Sequence, residues 1–157
     1  EGGITRLMPE GKQMRVFDAA EIYLERQQDL IILAGKNYGC GSSRDSAAKG
    51  VALLGVKAVV AESFERIHRT NLVGMGVLPL QFKAGTEIDD LGLDGSEVFD
   101  VIGLENDLGV HSEVELRVHR LDGSVLSVPL VARLDTVEDF EYWKHGGILP
   151  RVWRSYL

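Results

Sequence analysis

Only one cysteine, Cys40, occurs in the 157 residues, so no disulfide can close within the chain and no multi-cysteine metal centre can be built from it alone. Lone thiols of this kind fit a reducing, cytoplasmic setting. Basic residues are also scarce, with 17 Lys and Arg against 24 Asp and Glu, a formal charge of -7. That balance withholds the positive field that nucleic-acid binders rely on. Long apolar runs are missing as well: none approaches the roughly 18 residues that a membrane-spanning helix needs. The opening residues, Glu1-Gly2-Gly3-Ile4-Thr5, have neither the charged start nor the apolar stretch of a signal peptide. What is present is one domain's worth of sequence, 45% hydrophobic, enough to bury a core without staples.

Residues 1 to 13 are polar and Gly-rich. Val16, Ala19, Ala20, Tyr23 and Leu24 then recur at helical spacing up to Arg26, which predicts a short amphipathic helix. Leu30-Ile31-Ile32-Leu33-Ala34 is a brief branched apolar run of the kind buried on both faces of a parallel sheet. A polar Gly loop follows, then a helix over Ser46 to Leu54 stopped at Gly55. The order repeats, with a strand over Val56 to Ala61, a helix from Ser63 (its cap) to Val73, and a strand over Val77 to Phe82. Strand-helix-strand repeats predict a parallel sheet. Beyond Phe82, turn residues such as Gly85, Gly92 and Asp94-Gly95 separate short apolar pieces. Val114 to Arg120 and Val125 to Leu130 alternate in polarity around Asp122-Gly123, which predicts a β-hairpin. Thr136 can cap a last helix, Gly146-Gly147 ends it, and the tail from Ile148 to Leu157 is apolar enough to dock.

The segment Gly39-Cys40-Gly41-Ser42-Ser43-Arg44 follows a strand and opens a helix, so its backbone N–H groups converge at a positive helix end where anions bind readily. Gly35, Gly39 and Gly41 permit tight turns. Two adjacent hydroxyls and a guanidinium then share one space, and an Arg fork matches a carboxylate in bidentate geometry. These residues alone support two readings: a site for a small carboxylate or phosphate, or a Ser-capped helix with an exposed arginine. A nucleotide-binding P-loop is disfavoured by the absence of Gly-Lys-Ser/Thr after the glycines. Arg66, His68 and Arg69 share a helix and are read as structural hydrogen-bonding groups. His111, His119 and His145 lack metal-ligand spacing. Trp143 and Trp153 are read as packing anchors against the core or against an absent domain.

Tyr38-Gly39-Cys40-Gly41-Ser42-Ser43-Arg44-Asp45, Ala47-Ala48-Lys49-Gly50, Ala61-Glu62-Ser63-Phe64-Glu65-Arg66-Ile67-His68-Arg69-Thr70-Asn71-Leu72 and Gly76-Val77-Leu78-Pro79-Leu80 occur in order and at natural spacing. Together they resemble the C-terminal swivel domain, the fourth, of the aconitase family. The resemblance runs from Gly2-Gly3-Ile4-Thr5-Arg6 to Gly146-Gly147-Ile148-Leu149, and Ser-Phe-Glu-Arg-Ile-His is its most specific part.

The resemblance implies an α/β fold, a swivelling β/β/α three-layer domain with a central, mainly parallel sheet, whose motion closes a cleft over substrate. It implies that residues 1–157 are one domain of a larger multidomain hydro-lyase, inactive by themselves, with the remaining aconitase domains as partners in cis. Family members dehydrate and rehydrate citrate-like tricarboxylates on a [4Fe-4S] cluster held by three cysteines of other domains, which leaves Cys40 outside the ligand set. Ser42 takes the role of base, Arg44 grips a substrate carboxylate, and Ser43 hydrogen-bonds the same substrate. A further substrate arginine of the family maps just upstream of Glu1. Ser46 departs from the bulkier residue usual at that place in bacterial members, which bears on helix packing rather than chemistry. Citrate and methylcitrate cannot be separated on this stretch. The small subunit of an isopropylmalate isomerase shares the Gly-Cys-Gly-Ser-Ser-Arg loop but not the downstream motif. RNA binding, known for some cluster-free aconitases, is disfavoured by the acidic balance.

Overall fold

The computed structural model describes residues 2–105 and 108–157. The chain opens with a two-stranded antiparallel ribbon, β1 (Ile4–Leu7) and β2 (Lys12–Arg15), where the sequence reads only as a polar segment. Helix α1 (Val16–Glu25) follows, burying Ala19 and Ala20. Two β-α-β units come next: β3 (Leu30–Ala34), α2 (Arg44–Leu53), β4 (Val56–Ala61), α3 (Arg66–Gly74) and β5 (Leu78–Phe82). A 3-10 turn (Ile88–Leu91) leads to β6 (Val98–Ile102), β7 (Glu113–His119) and β8 (Val125–Ala132). Helices α4 (Val137–Lys144) and α5 (Ile148–Arg154) end the described chain.

Strands β3 to β8 form one sheet in the order β3-β4-β5-β8-β7-β6. The α/β class expected from the sequence holds, and the pairing divides the sheet in two. β3, β4 and β5 pair in parallel, as the strand-helix repeats require, whereas β8, β7 and β6 are joined antiparallel. The reason is the hairpin around Asp122-Gly123, which needs no crossover and adds itself to the free edge of β5 through Leu80–Ala132 and Phe82–Leu130.

Strand β4 is buried on both faces because alternate side chains enter different cores. Ala58 and Val60 join Leu80, Leu116, Leu130 and Leu134 in the larger cluster, while Val59 meets Ala48, Leu72 and Val77 beneath α2 and α3. β3, expected to be buried on both sides, is only half-buried, since it lies at the sheet edge with β4 as its one neighbour. The helix expected from Ser63 begins instead at Arg66, with Glu65 as its cap. Ser63 is unavailable for capping because its Oγ accepts the N–H of Asn37 at 2.8 Å. Thr136 caps α4 as expected, accepting the Asp139 N–H at 3.0 Å. The tail does fold, as α5, but its apolar side chains are not covered: Trp153 is 71% and Leu149 72% exposed, whereas Trp143 packs against the larger core.

Candidate active site

The β3–α2 loop and the β4–α3 loop lie side by side at the carboxyl ends of neighbouring parallel strands, the usual location for ligands in open α/β sheets. They are fastened by backbone bonds. Tyr38 N–H donates to Ser63 O at 2.9 Å and Glu65 N–H donates to Tyr38 O at 2.9 Å, a one-residue parallel bridge between Tyr38 and Phe64. The two rings meet edge to face at 6.0 Å, and burial pushes the Tyr38 phenol up from its ordinary pKa.

His68 sits beneath the loop, 1% exposed, with the Tyr38 ring 5.3 Å away. A Cβ on Gly39 would fall 2.1 Å from His68 Cδ2, and Gly39 adopts φ of +85°, so both space and backbone require glycine there. His68 Nδ1 lies 3.0 Å from the Arg44 carbonyl oxygen. A carbonyl can only accept, so Nδ1 carries the proton. The expectation that His68 and Arg69 serve as structural hydrogen-bonding groups is met. Arg69 is almost wholly buried and ties α3 to α4, with Nη1 2.9 Å from Asp139 Oδ2 and Nε 3.2 Å from Asp135 Oδ2. Burial alone would raise the Asp135 carboxyl, but the Arg133 hydrogen bond, the Arg69 charge and the His111 contact together hold it below the usual carboxylate range.

Ser42, Ser43 and Arg44 come together as predicted, lining a shallow depression of about 370 Å³ with Asp45, Ser46, Ile67 and Asn71. Both serines are exposed. Ser43 stands at the N-cap of α2 but makes no side-chain capping bond, so the reading of this loop as an ordinary Ser-capped helix fails. The first helical bond runs from Ala47 N–H to Ser43 O at 2.9 Å. The N–H groups of Arg44, Asp45 and Ser46 therefore lack helical acceptors and sit at the positive end of α2. Arg44 is turned inward at two points: Nε donates to Gly41 O at 3.0 Å and Nη1 pairs with Glu65 Oε1 at 3.3 Å. Among the described residues its Nη2 has no hydrogen-bond partner. Glu65, which pairs with Arg44, is a contact that local sequence reasoning missed. Its His68 and Ile67 N–H bonds and the charges of Arg44 and Arg66 hold its carboxyl below the usual range, the His68 bond contributing most.

Cys40 is exposed, and among the described residues no three His, Cys, Asp or Glu side chains are grouped as metal ligands would be. Nor is any described helix long and apolar enough to cross a membrane.

Adjacent hydroxyls, helix N–H groups without helical acceptors and an arginine thus lie together at the strand ends of an α/β domain. Its fold matches a solved structure of 3-isopropylmalate dehydratase from Methanocaldococcus jannaschii, with TM-score 0.52 over 95% of this chain and 83% of that one, at 19% identity. Residues 1–85 match the family model for the aconitase C-terminal domain, and the chain belongs to that family. It is 54% identical over 155 residues to aconitate hydratase A of Legionella pneumophila, covering 99% of this chain. It is also 51% identical, over its full 157 residues, to a 2-methylcitrate dehydratase (2-methyl-trans-aconitate forming) of Shewanella oneidensis. The chain spans only 17% and 18% of the lengths of those two relatives.

Proposed function

We propose that residues 1–157 are the C-terminal domain of a larger aconitate hydratase-type hydro-lyase, which interconverts citrate and isocitrate through cis-aconitate. The observation that carries the reading is the exposed Ser42 beside Arg44 at the uncapped N-terminus of α2, within a family whose similar members are named as hydratases of that kind. Ser42 Oγ, as alkoxide, takes the proton from the carbon next to a substrate carboxylate, and hydroxide departs from the neighbouring carbon. The reverse steps restore water at the other position. A serine hydroxyl is scarcely ionised at neutral pH, so its anion needs local support. The N–H groups of Arg44, Asp45 and Ser46, which have no helical acceptors, supply it from one side. Arg44 holds the carboxylate through its free Nη2 edge, and the uncommitted Ser43 hydroxyl adds a hydrogen bond.

The residues of this chain do not fit a [4Fe-4S] cluster, because Cys40 is its only cysteine and no ligand group surrounds it among the described residues. Such a cluster belongs on cysteines of other domains, and those domains are the partners in cis. The bare apolar side of α5, with Leu149 and Trp153, is suited to contact of that sort. A methylcitrate-pathway dehydratase is the second reading, favoured by the Shewanella relative at nearly the same identity. The site sits in a cytoplasmic enzyme on this reading.

The test is turnover of citrate and methylcitrate by the full-length, cluster-loaded enzyme, with and without Ser42→Ala. Loss of the base lowers kcat by at least about 100-fold, with KM little changed. Turnover near wild type in S42A refutes the base assignment, and the preferred substrate decides between the two readings.

A further inference from the structure

Arg44 is anchored at both of its ends by residues of α3 and its cap. Its main-chain carbonyl receives His68 Nδ1–H at 3.0 Å, and its guanidinium pairs with Glu65 Oε1 at 3.3 Å. Glu65 closes the circuit, since its other oxygen, Oε2, accepts the His68 backbone N–H at 2.9 Å while its own N–H is held by Tyr38 O at 2.9 Å. One carboxylate thus performs two tasks with two oxygens. Oε2 ends the orphan N–H of α3, a capping task that Asp, Asn, Ser or Thr performs at least as well. Oε1 reaches across to the neighbouring loop, which only a side chain of glutamate length can do. The choice of Glu over a better cap is explained by the second task. Both partners are mostly shielded, Arg44 at 31% and Glu65 at 21% side-chain exposure, so the pair is less screened than a surface bridge.

We propose that Glu65 is a positioning residue for Arg44: one carboxylate oxygen caps α3 while the other fixes the guanidinium, so that its free Nη2 edge faces the incoming substrate carboxylate. The inference rests on the reading that Arg44 grips substrate. Without Glu65 the guanidinium retains only the Gly41 carbonyl at Nε and samples more than one orientation, and the substrate must then order it. The cost appears in binding.

The experiment is steady-state kinetics on citrate with the full-length, cluster-loaded enzyme carrying Glu65→Asp, Glu65→Gln, Arg44→Ala and Glu65→Asp with Arg44→Ala. Asp keeps the cap but withdraws the carboxylate by about 1.5 Å, one carbon–carbon bond. Gln keeps length and cap but removes the charge, and it stands in should the Asp variant fold poorly. The expected result is a KM raised about two- to fivefold in both single Glu65 variants, kcat nearly unchanged, and no further effect of Glu65→Asp once Arg44 is Ala. A Glu65 side chain with a purely structural role gives a different pattern, lowering Tm and kcat together and acting equally in both backgrounds. That pattern, or wild-type KM in both Glu65 variants while Arg44→Ala is impaired, overturns the positioning role alone. Wild-type kinetics for Arg44→Ala overturns the substrate-gripping reading and this inference with it.

Discussion

Gly39→Ala tests the packing beneath the serine loop more sharply than any other single change. The new Cβ would stand 2.1 Å from His68 Cδ2, 2.2 Å from Cγ and 2.5 Å from Cβ. None of these atoms is the end of a flexible chain, and the ring is fenced by Tyr38 and by its bond to Arg44 O. Two costs add. Holding a non-glycine residue at φ of +85° costs about 1–2 kcal/mol, and displacing a packed ring costs about 1–3 kcal/mol. The sum, about 2–5 kcal/mol, corresponds to a fall in Tm of about 4–20 °C for a chain of this size. Calorimetry or urea titration of the 157-residue chain reads it directly. Gly41→Ala is the internal control two residues away, because its Cβ meets nothing within 4 Å and its φ is not positive. It should change stability by no more than about 0.5 kcal/mol. Replacing His68 by Ala as well should remove the steric part of the Gly39→Ala penalty and leave the backbone part. Equal melting of Gly39→Ala and wild type, or equal losses for the two alanine variants, would refute the close fit of His68 under Gly39.

Two further outcomes follow from the polar links of α3. Removing Asp139 as Ala leaves Arg69 with Asp135 as its remaining carboxylate and takes away the acceptor of the Asp135 N–H at 3.0 Å, so urea unfolding should show a loss of about 1–3 kcal/mol. The folded pKa of Asp135 lies below its unfolded value of about 3.9, so its contribution is full above that value and is lost as pH falls through the folded one. Acid titration of stability should therefore steepen below about pH 4, and Asp135→Asn should flatten that limb while leaving its slope near neutrality unaltered.

The parallel half of the fold could be read from the chain because its signals are local: a branched apolar run, a glycine loop, a helix, and the same again. The hairpin about Asp122-Gly123 was equally plain, although its attachment to β5 is a long-range choice that alternation does not specify. The ribbon of β1 and β2 is not legible because Lys12-Gln13-Met14-Arg15 carries a single apolar residue and is mostly exposed, so it shows no apolar period. Ser42, Ser43 and Arg44 were legible because hydroxyls, glycines and an arginine crowd one strand-to-helix turn. Glu65 was not. Capping preference pointed to Ser63, and nothing in either loop alone discloses that Tyr38 and Phe64 would pair and bring the Glu65 carboxylate beside Arg44. Trp153 shows the converse, an apolar residue whose type predicts burial but which α5 leaves bare.

The bridge between Tyr38 and Phe64 also governs what can move. Two loops joined by main-chain bonds and a shared histidine behave mechanically as a single plate, riding on β3, β4 and the helices behind them. A rotation of the whole domain would carry Ser42 and Arg44 forward together with their spacing preserved, as teeth on one gear. Adjustment of one relative to the other would require that plate to crack, which makes loop flexibility here a source of error rather than of adaptability.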